Sequence, residues 1–245
     1  MNCFDYIKPK TIAEATDALA KFGSSAQVLA GGTDVLIELR RANGKTPQVV
    51  IDIAGIQELN GLLSANGTII LKPLATHSQL SSSTELNQSA QLLSIAAASI
   101  GSPQIRNRGT VGGNVMNAAT CADTVPPLVA LGAKVKLQSA DGERLFDMAD
   151  FFIKPYKTKA SPNELLTEIQ FQKLPLNARS VFIKLGRRNA LSISRLSVAA
   201  VVAQDESGVI TDARIVPGAA FPTWRRVAEA EHLLIGEKPS KELLR

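Results

Sequence analysis

Two glycine-rich turns constrain the fold of this chain more than any other feature: Ala30-Gly31-Gly32-Thr33-Asp34 and Gly109-Thr110-Val111-Gly112-Gly113-Asn114. The first follows an apolar run at 26–30 that predicts a strand, and it precedes residues with the apolar spacing of a helix. Glycines let successive backbone N–H groups face one oxyanion without a Cβ in the way, and a helix N-terminus adds partial positive charge. Two such turns predict a diphosphate held from both sides, although a single glycine turn is often only a tight connection.

Composition narrows the class of protein. A chain of 245 residues with 45% hydrophobic residues is long enough for one large domain or two of ordinary size. No apolar stretch approaches the roughly 18 residues that a membrane span needs, and no leader-like segment opens the chain, so we expect a cytoplasmic protein without a membrane span. Cys3 and Cys121 are too few for an iron–sulfur cluster, which takes about four cysteines, so any cluster is expected on another chain.

The net charge of +5 does not indicate nucleic-acid binding. The basic residues are scattered, and two tyrosines and one tryptophan offer little for a stacking platform. A mildly positive field favours an acidic ligand or partner instead.

The first half of the chain has an α+β pattern. Thr11 and Glu14 are spaced as a capping box, and Gly23 follows as a helix stop. Asn66-Gly67 is the dipeptide favoured in two-residue hairpins. The remaining predicted elements are a helix at 34–42, a strand at 49–53, a helix at 92–100, a helix opening near Pro126 and Pro127, a strand around 135–137, and a hairpin at Asp141-Gly142.

The composition shifts to Lys, Thr, Ser and Pro at 154–163, which predicts a connection between domains. Beyond it we predict strands at 165–171, 180–185 and 196–203, a turn at Ser207-Gly208, and a helix at 224–234. The predicted organisation is a first subdomain at 1–58, a second at 59–160, and a smaller sheet-and-helix domain at 161–245.

Several polar side chains accompany the glycine turns. Neither a Rossmann fingerprint nor a P-loop is present, so a phosphate site must be of another kind. Hydroxyl, amide and carboxyl groups suited to a pyrophosphate or ribose are supplied by Thr33, Thr110, Asn114, Asn117 and Asp123. The alternative is structural: the asparagines satisfy turn backbone and Asp123 only caps a helix.

Two other residues invite a chemical role that their surroundings do not support. His77 and His232 are the only histidines, and no carboxylate or cysteine is spaced to complete a metal site with either. We therefore interpret His77 as a surface or core histidine. A lone cysteine is most often a small buried hydrophobe, so Cys121 is given no role.

Three segments carry a resemblance to a known family: Val28-Leu29-Ala30-Gly31-Gly32-Thr33-Asp34, Ala75-Thr76-His77, and Ile105-Arg106-Asn107-Arg108-Gly109-Thr110-Val111-Gly112-Gly113-Asn114. In order and separation they resemble the FAD-binding subunit of the molybdenum hydroxylases, the family of xanthine dehydrogenase, nicotinate dehydrogenase and aerobic carbon monoxide dehydrogenase. Phe182-Ile183-Lys184 extends the match. The resemblance implies a fold of the vanillyl-alcohol-oxidase type, with two α+β subdomains around FAD and a third domain over the flavin.

The resemblance also implies which residues contact FAD. The diphosphate would lie on the backbone of 29–34 and 109–113, Asp123 would contact the adenosine part, Leu166 the adenine side, and Lys184 the flavin edge. A lysine there would favour anionic reduced flavin, whereas a solvated surface lysine is the commoner outcome. The full implied set is Val28, Leu29, Ala30, Gly31, Gly32, Thr33, Asp34, Thr76, Ile105, Gly109, Thr110, Gly112, Gly113, Asn114, Asn117, Asp123, Leu166 and Lys184.

Two departures from the family pattern bear on these expectations. Leu71-Lys72-Pro73-Leu74 stands where the family has a small glycine-alanine pair, so the backbone there is expected to lie farther from the cofactor. The C-terminal domain also lacks its usual last helices, about 40 residues on the scale of such domains, so we expect a shortened version or a fragment.

By this resemblance the chain is an electron-transfer subunit carrying FAD. A large partner subunit would hold the molybdopterin cofactor, a small partner would hold 2Fe–2S clusters, and the FAD would reduce NAD+ or another acceptor. The segment 113–120 resembles the xanthine dehydrogenase branch, which favours a purine or another N-heterocycle as substrate of the complex. The alternatives are a free-standing flavin oxidoreductase and an assembly subunit that has lost productive FAD.

Overall fold

The computed structural model describes residues 4–41, 46–188, 191–241 and 243; Cys3 and the end of the helix predicted at 34–42 lie outside these ranges. In chain order the strands are β1 (Asp5–Ile7), β2 (Ala26–Leu29), β3 (Val49–Asp52), β4 (Leu62–Ala65), β5 (Thr68–Leu71), β6 (Lys134–Ser139), β7 (Gly142–Asp147), β8 (Phe152–Lys154), β9 (Lys157–Thr158), β10 (Leu165–Gln172), β11 (Ala178–Leu185), β12 (Leu196–Gln204) and β13 (Ile210–Gly218). The helices are α1 (Ile12–Phe22), α2 (Val35–Arg40), α3 (His77–Ser82), α4 (Thr84–Ser89), α5 (Gln91–Ala98), α6 (Pro103–Arg106), α7 (Val111–Asn117), α8 (Val125–Ala130) and α9 (Ala228–Leu234).

The first unit packs α1 against a three-stranded parallel sheet of order β1-β3-β2. The predicted start of α1 is confirmed, because the Thr11 hydroxyl accepts a hydrogen bond from the Glu14 N–H at 3.2 Å. Its predicted stop is confirmed as well, since Gly23 has a φ of 49°. The buried strand β3 and Leu19 of α1 form the core of this unit, and the glycine turn follows directly after β2.

The second unit is a five-stranded antiparallel sheet, β4-β5-β10-β6-β7, covered by helices α3 to α8. The predicted hairpin at its edge is confirmed, because Asn66 and Gly67 both have positive φ, 50° and 77°, as a type I′ turn requires. The largest buried cluster lies between this sheet and its helices. Both units mix helices and strands, so the predicted α+β class is confirmed.

The boundary predicted at residue 160 does not coincide with a break between sheets. Strand β10 pairs with β5 on one side and β6 on the other, so it belongs to the second unit. Pro155 stands in the β8–β9 hairpin and Pro162 follows it, so we propose that the segment 154–163 belongs to the second unit and is not a linker. The chain passes to the last sheet only through the residues between β10 and β11. We propose that the C-terminal domain begins there.

The C-terminal unit is an antiparallel sheet, β11-β12-β13, whose inner face packs on α5 and α8. Its turn at Ser207-Gly208 is confirmed, with a φ of 83° at Gly208. The last helix is shorter than predicted, since Trp224 is buried against Phe152 at a ring separation of 4.5 Å and the helix begins at Ala228. Across the described residues, no helix combines the length and apolarity needed to cross a bilayer.

Candidate cofactor-binding site

The first glycine turn presents free backbone donors. Within the described residues, the N–H groups of Gly31, Gly32, Thr33 and Asp34 donate to no protein acceptor. Gly32 has a φ of 77°, a conformation that L side chains rarely adopt, and this conformation turns the chain from β2 toward α2. The predicted arrangement of strand, bare turn and helix start is therefore present, with unsatisfied donors that suit an anion.

The second glycine turn is built differently, and the prediction that its successive N–H groups point at an oxyanion is wrong. Val111 N–H donates to the Ala75 carbonyl at 2.9 Å, and Gly112 N–H donates to the Pro73 carbonyl at 2.9 Å. The N–H groups of Gly109, Gly113 and Asn114 are likewise bonded within the turn or to the preceding helix. What remains for a ligand is the Thr110 N–H, its hydroxyl proton, and nearby side chains.

The glycines of the second turn serve close packing against a neighbouring segment. A Cβ added to Gly112 would lie 2.4 Å from the Pro73 Cβ and 2.7 Å from its carbonyl oxygen. A Cβ on Gly109 would lie 3.1 Å from the His77 ring. The segment 71–74, which departs from the family pattern, is therefore in direct contact with this turn.

The two turns also touch each other. A Cβ added to Gly31 would lie 2.0 Å from the Arg108 carbonyl oxygen and 3.1 Å from the Cα of Gly109. Real Cβ atoms do not approach other atoms so closely. Gly31 is thus the position where the first and second units meet with no room for a side chain.

A cavity of about 510 Å³ opens beside this junction, a volume typical of small-molecule and cofactor sites. Both units and the segment 156–166 line it. Of the residues implied by the resemblance, those lining it are Val28, Ala30, Gly31, Gly32, Thr33, Asp34, Gly109, Thr110, Gly112, Gly113, Asn114, Asn117 and Leu166. The structure therefore brings most of the implied set to one space.

Five implied residues lie outside that cavity. Thr76 lines an adjoining cavity of about 170 Å³ that shares Gly31 and Thr110 with the larger one, and its hydroxyl caps α3. The Leu29 carbonyl is bonded to the Ile53 N–H, and the Ile105 carbonyl accepts from the Gly109 N–H. The other two are Asp123 and Lys184.

Asp123 and Lys184 form a buried ion pair at 2.7 Å, with side chains that are 6% and 13% exposed. Ser194 donates a hydrogen bond to the other oxygen of Asp123, and Lys184 also donates to the Ser99 carbonyl at 3.1 Å. Asp123 therefore does not act as a helix cap, and Lys184 is not a solvated surface lysine. The contacts of Asp123 with the adenosine part and of Lys184 with the flavin edge stay predictions, and the bond between the two side chains requires the two contacts to lie close together.

Within the described residues, neither the Asn114 nor the Asn117 side chain forms the bond to turn backbone that the structural alternative expects. The Asn114 carboxamide oxygen accepts from the Thr124 hydroxyl at 2.6 Å, which leaves its amide N–H groups free beside the cavity. Asn117 also lines the cavity, and its side chain has no partner among the described residues. Both side chains are available to a polar ligand.

Two carboxyl groups of the cavity have pKa values shifted in opposite directions. Burial raises the pKa of Asp34. Burial also disfavours ionised Glu164, but hydrogen bonds from Arg144 and the Ser161 N–H outweigh it and lower the pKa of that carboxyl. Burial therefore makes ionisation of Asp34 less favourable, whereas its hydrogen bonds stabilise the ionised form of Glu164.

His77 is a core histidine that touches the cavity. It is 3% exposed, and its Nδ1 is the buried side-chain polar atom without a partner among the described residues. Burial, with a smaller effect of Arg106, lowers the pKa of His77 to about 4, so the ring is neutral at physiological pH. Within the described residues, no three His, Cys, Asp or Glu side chains are placed to hold a metal ion.

Cys121 is half-buried, and burial raises the pKa of its thiol, with a further contribution from Asp123. A thiol with a raised pKa is mostly protonated and is a poor nucleophile. The structure supports giving it no catalytic role.

Sequence reasoning missed two features of the cavity. The Arg144–Glu164 pair, with both nitrogen–oxygen distances at 2.6 Å, fixes the segment that forms one wall. Tyr156 lines the cavity and is 67% exposed. The sequence signal for Tyr156 is the Pro155-Tyr156 dipeptide. A type II turn with proline at its second position favours glycine or asparagine at the third, and tyrosine stands there instead.

Comparisons with known proteins identify the family of this chain. The sequence profile of the family described as FAD binding domain in molybdopterin dehydrogenase matches residues 2–173. The profile described as CO dehydrogenase flavoprotein C-terminal domain matches residues 181–245.

Individual relatives are similar over nearly the whole chain. The nicotinate dehydrogenase FAD-subunit of Eubacterium barkeri is 32% identical, covering 100% of this chain and 83% of that protein. The putative xanthine dehydrogenase FAD-binding subunit of Escherichia coli is 35% identical, covering 92% and 77%. Carbon monoxide dehydrogenase from Hydrogenophaga pseudoflava superimposes with a TM-score of 0.93 at 30% identity, covering 99% and 83%. The chain therefore belongs to the FAD-binding flavoprotein subunits of the molybdopterin dehydrogenases.

Proposed function

We propose that this chain binds one FAD with the diphosphate on the free N–H groups of residues 31–34, and that it acts as the electron-transfer subunit of a molybdenum hydroxylase. The observation that carries the proposal is the row of four unsatisfied N–H groups at the mouth of a 510 Å³ cavity. Hydrogen bonds from such donors to a charged acceptor are each worth about 1.5–3 kcal/mol. The residues present therefore fit a dinucleotide cofactor.

The second turn contributes through side chains more than through backbone. The Thr110 hydroxyl accepts from the Gly113 N–H, so its proton is free to bond a phosphate oxygen. Asn114 and Asn117 supply amide donors along the same wall, and Thr33 supplies a hydroxyl on the opposite side. Val28 and Leu166 form apolar walls suited to a ring system. Contacts at Leu29, Thr76 and Ile105 stay predictions.

The Asp123–Lys184 pair joins the second unit to the C-terminal sheet beside this site. We propose a positional role for this pair: the salt bridge from β11 to Asp123, just before α8, holds the C-terminal sheet against the second unit. Lys184 thereby keeps its positive charge close enough to the half-buried Cys121 to act on the pKa of that thiol. A cation near the flavin would favour its anionic reduced form.

Bound FAD would supply the exchange between single electrons and a two-electron hydride. We propose a small partner with 2Fe–2S clusters as the electron donor, a large partner with the molybdopterin cofactor as the site of substrate oxidation, and NAD+ or another soluble compound as acceptor. The relatives named for nicotinate and xanthine dehydrogenases support an N-heterocyclic substrate of the complex.

The absorption spectrum of the chain purified without added cofactor tests the first step. We expect a flavin spectrum, and acid release should yield FAD at about one per chain. Protein that stays colourless after incubation with excess FAD refutes the proposal and favours an assembly subunit.

A second measurement separates electron transfer from independent catalysis. The FAD-loaded chain, photoreduced without oxygen, should pass electrons to NAD+ or to an artificial acceptor, and should not turn over nicotinate or xanthine alone. Substrate oxidation by the isolated chain would instead indicate a free-standing flavin oxidoreductase.

A further inference from the structure

We propose that Tyr156 is a stacking platform for one planar ring system of the cofactor, an inference that rests on the proposed function. Tyr156 stands at the tip of the β8–β9 hairpin and lines the cavity. Among the described residues that line this space, it is the one phenylalanine, tyrosine or tryptophan. The residue is 67% exposed, so much of its surface is open to a ligand.

The backbone at Tyr156 has a positive φ, which is unusual for a bulky residue in a turn. Lys154 and Lys157 pair across the hairpin, so Pro155 and Tyr156 are its two central residues. Proline at the first central position and a φ of 60° at the second are the pattern of a type II turn, which favours glycine or asparagine at that second position. A bulky side chain with positive φ is a genuine outlier that costs conformational free energy.

The surroundings hold this strained residue in place. The Tyr156 N–H donates to the Ala118 carbonyl at 2.9 Å, and Ala118, at the end of α7, also has a positive φ of 49°. Phe151 and Phe152, at the base of the same hairpin, are buried in the core. The hairpin is therefore anchored to the end of α7, with Tyr156 at the edge of the cavity.

An exposed aromatic ring kept in a strained conformation at the edge of a cofactor cavity fits a planar partner. Stacking of a base on an aromatic side chain is worth about 1–3 kcal/mol by alanine substitution, which corresponds to about 5- to 150-fold in affinity, a range that includes tenfold. Adenine and isoalloxazine both offer such a face, and binding of ADP and of FMN separates them.

The test compares FAD affinity with stability of the cofactor-free chain in Tyr156→Phe, Tyr156→Ala and Tyr156→Gly. Tyr156→Phe keeps the ring, so its FAD dissociation constant should stay within about twofold of wild type. Tyr156→Gly removes the ring and also relieves the positive-φ strain, so the cofactor-free chain should melt at the same or a higher temperature while FAD binds at least about tenfold more weakly. Ile153→Ala, which is exposed on the same hairpin and does not line the cavity, is the control.

The outcomes separate this inference from the proposed function. Wild-type protein that binds no FAD overturns both. Wild-type protein that binds FAD, with Tyr156→Gly within about twofold of it, overturns the stacking role alone. A joint loss of melting temperature and FAD affinity in Tyr156→Gly shows a purely structural tyrosine and also overturns it. With the tenfold loss established, weaker ADP binding assigns the platform to adenine and weaker FMN binding assigns it to isoalloxazine.

Discussion

Gly31→Ala should separate the two glycine turns and weaken FAD binding. The added Cβ would lie 2.0 Å from the Arg108 carbonyl oxygen, whereas carbon and oxygen atoms in contact stay about 3.3 Å or more apart. The turns must therefore move apart by about 1 Å or more. Because the obstructing atom is backbone, no side-chain rotation relieves the clash.

Two effects set the magnitude. Overpacking of this kind costs about 1–3 kcal/mol of folding free energy, which lowers the melting temperature of a chain of this size by several degrees. The displaced turn also loses alignment with the diphosphate. Loss of one hydrogen bond to a charged acceptor, about 1.5–3 kcal/mol, weakens FAD binding by roughly tenfold or more.

The assay titrates the cofactor-free protein with FAD by flavin fluorescence and measures its thermal unfolding separately. Gly55→Ala is the matched control, because a Cβ there would have only a loose contact of 3.4 Å with the flexible Lys8 side chain, away from the cavity. Wild-type FAD affinity in Gly31→Ala, or an equal loss in Gly55→Ala, would refute the role assigned to the junction.

Three further predictions concern buried charges. Asp123→Ala leaves Lys184 buried without its partner and should lower the free energy of unfolding by about 3–5 kcal/mol in urea titrations, whereas Asp123→Leu with Lys184→Met should recover much of the loss. His77 has a folded pKa of about 4, below its unfolded value, so the unfolded state takes up a proton first as pH falls. Wild-type stability should therefore drop by up to about 3 kcal/mol between pH 6.5 and pH 4 relative to His77→Phe, and parallel curves for the two proteins would contradict this. Glu164→Gln should weaken FAD binding, because it loosens the segment that forms one wall of the cavity. The lowered pKa of Glu164 means that its pairing with Arg144 stabilises the fold above the ordinary carboxyl pKa and is lost at acidic pH. The free energy of unfolding of Glu164→Gln should therefore lack this part of the wild-type pH dependence.

Local signals in the sequence predicted the elements that local interactions determine. The start of α1 depends on Thr11 and a donor three residues later, and the β4–β5 hairpin depends on the conformations open to Asn66 and Gly67. The free N–H groups of the first turn also follow from a short segment, since a strand end and glycines suffice. These features need no knowledge of the rest of the chain.

The second turn could not be predicted in the same way. Whether its N–H groups are free depends on acceptors in residues 73–77, which reach the turn only in the folded protein. The Asp123–Lys184 pair is another such case, because 61 residues separate its partners and the sequence alone leads to separate roles for them. The position of β10 depends likewise on pairing with two strands that lie far before it in the chain.

The two glycine turns therefore have different roles, although their similar sequences predicted the same role for both. The first turn exposes its N–H donors to the ligand, and its Gly31 packs against the second turn. The second turn is itself held by hydrogen bonds from its N–H groups to carbonyls of residues 73–77. The position of the donors in the first turn therefore depends on the backbone of the second. A substitution in the second turn should consequently weaken FAD binding through geometry even where it removes no contact to the cofactor. Gly112→Ala is the clearest case: its Cβ would lie 2.4 Å from the Pro73 Cβ, so we expect the turn to be displaced, with weaker FAD binding accompanied by a lower melting temperature of the cofactor-free chain. Loss of FAD with unchanged thermal stability would show that Gly112 faces the cofactor after all.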